Sequence, residues 1–196
     1  MKKIIARALE ENMLALITSF NEENISKLGI CAKKIAKAIE NDGTIFAFGN
    51  GGSASDAQHF VAELIGKFEA KRKAYAAICL SSNISAITAI ANDFSFEEIF
   101  SRQVDALVKK NDVVIGISTS GISANVIKGL KKAKEKGAYT IALTSHGGKK
   151  NLSKVSDIII EVYAKRTPRI QELHLLLLHV LCELVEYELC KRQLKN

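Results

Sequence analysis

Two stretches of the chain carry residue types that hold an anion without a countercharge. Gly49-Asn50-Gly51-Gly52-Ser53-Ala54-Ser55-Asp56 and Ser118-Thr119-Ser120-Gly121-Ile122-Ser123 each join an apolar run to a helical pattern. Glycine lets the backbone approach a ligand closely, free amides at a helix start attract negative charge, and hydroxyls add donors. Either stretch alone is compatible with an ordinary turn closed by a serine cap. Two of them at neighbouring strand ends suit a phosphate monoester. The GxxxxGK[ST] loop is absent and GNGGSAS is not the GxGxxG pattern, so neither nucleotide hydrolysis nor hydride transfer has support.

Directly after the first loop, His59 and Glu63 stand four residues apart. On a helix that spacing puts them on one face, roughly 6 Å apart along the axis. The pair suits two ligands of one metal, an acid and a base flanking one substrate, or a plain surface contact. Near the end of the chain, Gln171, His174 and His179 interrupt an aliphatic run, RIQELHLLLLHVLCEL. A histidine in such a run is expected to be buried and in need of a partner. Gln171 and His179 are eight residues apart, roughly 12 Å along a regular helix, so one ion held by both looks strained. Either Gln171 belongs to a non-helical first turn, or the two residues serve separate sites at a subunit boundary. Asn92-Asp93 follows the apolar helical segment ISAITAIA and precedes a helix expected from Ser95, which reads as a turn and cap. His146-Gly147-Gly148 reads as a flexible surface turn.

Positioning these residues requires strands that end where the loops begin. Five short apolar runs read as buried parallel strands: 44–49, 74–80, 112–118, 139–144 and 157–162. Helical spacing fills 55–68, 95–110 and 122–136, the last ending at Lys136-Gly137. Two helices are expected before the first strand, about 2–20 and 24–41, and a long one after the last, about 169–191. Strand alternating with helix predicts an α/β fold, a doubly wound five-stranded parallel sheet flanked by helices, with 1–196 as a single domain. The first and last helices carry more apolar residues than one buried stripe needs, so a second copy of the chain is expected to cover them.

Composition narrows the classes. The chain has 196 residues, 47% hydrophobic and 25% charged, with one Pro, which excludes a disordered or fibrous chain. No apolar run reaches the roughly 20 residues of a membrane span. Arg7, Glu10 and Glu11 break any apolar core in MKKIIARALEENMLALI, so this start reads as an amphipathic helix, not a signal peptide, and the chain is expected in the cytoplasm. The formal charge of +7 is spread over KK, KRK and KKAKEK clusters without interleaved aromatics, which argues against a nucleic-acid partner. Cys31, Cys79, Cys182 and Cys190 form no CxxC pair and read as free buried thiols.

FGNGGSASDAQHFVAEL, AIANDFSFEEIFSRQV, GISTSGISANVIKGLKKAKEKG and RIQELHLLLLHVLCELVE, in that order over most of residues 1–191, resemble the phosphoheptose isomerases of the sugar isomerase (SIS) domain superfamily. The resemblance implies an SIS-type sheet, a homotetramer with active sites between subunits, and conversion of sedoheptulose 7-phosphate to D-glycero-D-manno-heptose 7-phosphate. That reaction is the entry to heptose for lipopolysaccharide, capsule or other surface glycans. It further implies that Asn50, Gly51, Gly52, Ser53, Asn92 and Asp93 line the substrate, with Glu63 and Gln171 also touching it. Ser118, Thr119, Ser120 and Ser123 would hold the phosphate. His59, Glu63, Gln171 and His179 match the family's zinc set, one ion per subunit, and Glu63 and His179 also match its acid and base. Two departures stand out: Lys67 where relatives often carry Arg, and Pro168 where some carry an acidic residue.

An aldose–ketose interconversion moves one proton between C1 and C2 and another between their oxygens, and neither step needs a redox cofactor. A weak carbon acid does need a base near the C–H and an acid or Lewis acid at the developing oxyanion. Two other readings are compatible with the same fold: a non-catalytic SIS regulator associated with a replication initiator, and an SIS protein acting on a hexose phosphate. Regulators of the first kind lack the counterparts of Glu63 and His179, both of which are present here.

Overall fold

The apolar runs become five parallel strands: β1 Ile45–Gly49, β2 Ala77–Cys79, β3 Val113–Ile117, β4 Tyr139–Ser145 and β5 Ile158–Val162. They are seen in a computed structural model that describes residues 1–193. Spatial order is β2-β1-β3-β4-β5. β1 is therefore flanked by β2 on one side and β3 on the other, with Ile45 opposite both Ala77 and Val113.

Side chains alternate between two cores, as the strand period of two requires. Ile45 and Ala47 of β1, Ile115 and Ile117 of β3, and Ile141 and Leu143 of β4 face one layer. That layer consists of the helices α2 Glu22–Glu40, α3 Gly52–Ile65 and α8 Thr167–Gln193. Phe46, Phe48, Val114 and Ala142 face the other, against α5 Ser101–Leu107, α6 Ala124–Glu135 and α7 Lys149–Leu152. Helices on both faces explain why strand residues read as unbroken apolar runs. A Cβ added at Gly116 of β3 would stand 2.7 Å from Leu130 Cδ1, so the absence of a side chain there lets α6 lie close against the sheet.

Two helices lie outside these layers. α1 Lys2–Ser19 is joined to α8 through Arg169, whose Nη1 donates to the Ala8 carbonyl at 3.0 Å, and through Asn12, whose Nδ2 donates to Glu172 Oε2 at 2.6 Å. Its Ile4, Ile5, Leu9, Met13, Leu14 and Ile17 remain exposed. α4 Ile84–Asp93 buries no residue at all. Leu173, Leu177, Leu178, Leu181 and Val185 of α8 are covered by its own chain, Leu175, Leu176, Val180 and Leu184 are half-buried and Tyr187 is exposed, so of the two helices expected to need a partner α1 leaves the larger apolar face bare.

Several boundaries differ from the sequence reading. The segment expected to be one helix over 95–110 is a 3-10 turn, Phe96–Glu98, followed by α5, because Ser95 is extended and Ser101 Oγ bonds back to Glu98. The second strand begins at Ala77 rather than residue 74. α3 starts three residues early, inside the glycine loop, and α7 was not anticipated. Cys31, Cys79 and Cys182 are buried as expected, but Cys190 is exposed on the last turns of α8. Burial pushes the Cys31 thiol up to about 12, and Cys182 also to about 12, where the charge of Glu63 adds to the effect of burial.

Candidate active site

In an open parallel sheet a ligand binds outside the carboxyl ends of the two strands from which successive connections leave in opposite directions. Here these strands are β1 and β3, and the loops that leave them are the two stretches singled out from the sequence. Gly51 has φ 53° and ψ −124°, a conformation that side chains resist, and it starts α3 without any side-chain cap. At the second loop Ser123 starts α6, also uncapped by a side chain. Its hydroxyl instead accepts from Ser118 Oγ at 3.0 Å, while the Gly121 N–H donates to Ser118 Oγ at 3.1 Å. Neither loop is the ordinary serine-capped turn. Two helix N-termini, of 14 and 12 residues, thus open at adjacent strand ends and together favour an anion there.

The loops are also tied to one another. Asn50 Nδ2 donates to Asn125 Oδ1 at 2.8 Å and Asn125 Nδ2 returns a bond to Asn50 Oδ1 at 2.9 Å. Ser81, just past β2, donates to the Gly49 carbonyl at 2.9 Å and accepts from its N–H at 3.1 Å. Sequence reading missed both Asn125 and Ser81, since nothing local marks either as a partner of the glycine loop.

His59 and Glu63 share one face of α3 as their spacing demands, with His59 Nε2 3.2 Å from Glu63 Oε1. His179 of α8 joins them, its Nε2 2.9 Å from His59 Nε2. One ligand atom from each of the three lies within 4.8 Å of the others. Two imidazoles and a carboxylate are a donor set for a divalent metal, and a tetrahedral ion with bonds of about 2.0–2.1 Å would hold its ligand nitrogens only slightly further apart than the two rings already stand. Three protein ligands leave a coordination position open to substrate or water.

Gln171 is not gathered into this cluster. It lies inside α8, which removes the non-helical alternative, and its amide packs on Gly52. A Cβ at Gly52 would stand 2.7 Å from Gln171 Cδ, so the loop needs glycine there to admit that amide. Ser53 and Ser118 are buried; Gly51, Gly52 and Ser120 are exposed, and Asn50, Thr119 and Ser123 are half-buried. Asn92 and Asp93 form the last turn of α4, not a cap before another helix. They are exposed, with Asn92 Nδ2 donating to Asp93 Oδ1 at 2.8 Å.

Two buried groups nearby were not assigned any role from sequence. Asp56 Oδ2 is buried without a hydrogen-bond partner, and burial raises this carboxyl to about 6 against the opposing influence of His59. His174 is fully buried and neither ring nitrogen reaches a partner with good geometry. Desolvation lowers it to about 4, and the main chain of Thr144 offsets only part of that. His146 does lie on an exposed turn, with its ring stacked on Tyr163 at 4.5 Å.

Comparison with known proteins agrees with this fold. The SIS domain family matches residues 9–145. The phosphoheptose isomerase of Helicobacter pylori (strain Shi470) is 52% identical over 152 residues, 78% of this chain and 79% of the relative. That of Aquifex aeolicus (strain VF5) is 46% identical over 190 residues, 97% of both chains. Among solved structures, the phosphoheptose isomerase of Neisseria gonorrhoeae superposes with a TM-score of 0.86 at 40% identity, covering 95% of this chain and 98% of that one.

Proposed function

The chain belongs to the SIS domain family, with the phosphoheptose isomerases, and is a sugar-phosphate isomerase; on that premise we propose that it interconverts sedoheptulose 7-phosphate and D-glycero-D-manno-heptose 7-phosphate. The phosphate sits between the N-termini of α3 and α6, held by Ser118, Thr119, Ser120 and Ser123. Asn50, Gly51, Gly52 and Ser53 line the sugar, with Asn92, Asp93 and Gln171 completing the contacts. The observation that carries the reading is the meeting of Glu63 and His179, which come from helices more than a hundred residues apart in the chain, on the helix that opens at the glycine loop.

Glu63 takes the proton from the carbon acid and returns it to the neighbouring carbon, and His179 moves the proton between the two oxygens, through a cis-enediol. Anchoring the phosphate away from the reacting carbons supplies binding energy that orients them. His59, Glu63 and His179 would hold zinc, which when bound supplies a Lewis acid for the carbonyl oxygen, while Gln171 stays with the glycine loop. Glu63 cannot be both a tightly held ligand and an effective base, which makes Glu63→Gln informative when turnover and zinc content are measured separately. Retained zinc with turnover lost supports the base role; wild-type turnover overturns it.

The exposed apolar side of α1 supports assembly with further copies of the chain, a homotetramer with active sites between subunits. The substrate assignment is tested by incubating the protein with sedoheptulose 7-phosphate in deuterated solvent and following C1 and C2 by NMR, with fructose 6-phosphate in parallel. Exchange confined to the seven-carbon ester supports the assignment. Faster turnover of the hexose ester overturns it, and no exchange of either ester, with or without zinc, indicates a binding protein.

A further inference from the structure

Residues 66–76, between α3 and β2, form neither helix nor strand, yet they are held in place. Glu186 of α8 is the reason. Its carboxylate accepts the N–H groups of Phe68 at 3.4 Å, Glu69 at 3.2 Å and Ala70 at 2.9 Å, together with Arg72 Nε at 2.7 Å. Only 9% of each side chain in the Arg72–Glu186 pair is exposed. Burial would push the Glu186 carboxyl up, but the Ala70 N–H, the Arg72 guanidinium and the Glu69 N–H together hold it below its ordinary value.

The other end of the guanidinium reaches the site. The last carbonyls of a helix lack partners within it, and Arg72 takes those at the end of α3: Nη2 donates to the Glu63 carbonyl at 2.7 Å and Nη1 to the Leu64 carbonyl at 3.0 Å. The cation also lies over the Tyr75 ring, 4.0 Å from its centroid. On the same strap the Phe68 ring lies 5.7 Å from the His179 imidazole. Glu186 itself stands two turns beyond His179 on α8. One buried ion pair therefore touches the main chain of Glu63 and fixes the ring beside His179.

We infer that Arg72 and Glu186 are positioning residues for the isomerase: their pair closes the end of α3 at Glu63 and holds Phe68 on His179, keeping carboxylate and imidazole in register and screening the ring from water. The kinetic part of this inference rests on the function proposed above; the screening part rests on geometry alone. Arg72→Lys keeps the charge but not the fork, so a single nitrogen cannot serve Glu186 and the α3 carbonyls together. Misplacement of catalytic groups by about 1 Å costs up to roughly a hundredfold. The expected result is kcat lower by about tenfold or more with KM within about twofold, because the phosphate is held elsewhere.

The four histidines supply a second readout. In metal-free protein, diethyl pyrocarbonate should modify His179 severalfold faster in Arg72→Lys, and equally in Phe68→Leu, which keeps the ion pair and loses the ring. Exposed His146 should react at its wild-type rate and buried His174 should stay unmodified. Unchanged kcat and unchanged His179 labelling overturn the inference. So does labelling that rises at His174 together with His179, since that is general loosening. If the wild-type chain turns over no sugar phosphate, the functional reading fails while faster His179 labelling in both variants still upholds the screening role.

Discussion

Three glycines of one loop should respond to alanine in three different ways. At Gly49 an added Cβ would stand 2.8 Å from the Ser53 carbonyl oxygen and 2.9 Å from that of Ile117. Neither backbone atom can move without shifting α3 or β3, so Gly49→Ala carries an overpacking cost of about 1–3 kcal/mol. At Gly51 there is open space, but the φ of 53° and ψ of −124° make alanine a strained residue, again about 1–3 kcal/mol. For a chain of this length each such cost lowers Tm by roughly 2–12 °C. At Gly52 the backbone is helical, so alanine gains up to about 1 kcal/mol of backbone entropy. The atoms nearest its Cβ belong to the flexible end of Gln171, whose amide swings aside for about 0.5–1.5 kcal/mol. The two terms nearly cancel. Gly52→Ala should therefore melt within a few degrees of wild type while losing roughly tenfold in kcat/KM, because Gln171 no longer faces the loop. Differential scanning calorimetry and the deuterium-exchange assay decide the matter. A Gly52→Ala protein that melts as low as the other two, or one with unaltered kinetics, refutes the reasoning.

Two further outcomes follow from buried or exposed groups. Buried His174 takes up its proton at about 4 in the folded chain but at about 6.5 when unfolded, so stability is full above pH 6.5 and is lost as pH falls toward 4, by about 3 kcal/mol. His174→Leu should flatten that limb in urea titrations at pH 7, 5.5 and 4.5, and an unchanged slope would show that other groups set it. Leu9 and Ile17 are 60% and 71% exposed in the protomer. Replacing both by lysine should leave helical content intact by circular dichroism and reduce the solution mass by sedimentation; an unreduced mass places the interface elsewhere.

The sheet was readable because every strand except β2, whose Ile78 is exposed, is buried on both sides and its apolar run is bounded by turn residues, as in FAFG before Asn50 and VVIGIS before Thr119. The two glycine- and serine-rich loops stand out because they follow strands whose ends the apolar runs mark. His59 and Glu63 were found through helical spacing, a local property. What local reading could not supply is the set of partners brought in from far along the chain. Residues 74–76 read as strand because their composition is apolar, yet they belong to a strap held by Glu186, more than a hundred positions away. Ser95 and Phe96 read as the start of a helix, but the neighbouring Phe94 is drawn to Arg102, whose guanidinium lies 3.7 Å from its ring centroid, and the chain is extended at Ser95. Cys190 shares the apolar neighbourhood of Cys182 in sequence, but at this turn of α8 Leu189 takes the buried face and Cys190 is exposed.

The reciprocal amide pair between Asn50 and Asn125 has a mechanical corollary. Both groups are neutral at any physiological pH, so the clasp across the crevice floor is indifferent to acidity and feels ionic strength only weakly. The strands beneath it are hydrogen-bonded neighbours along their whole length. The floor and the two loops therefore behave as a single rigid plate, and room for an incoming sugar phosphate has to be made at the rim. The helix α4 has no fully buried residue and meets the core only through the half-buried Ile87, Ile90 and Ala91.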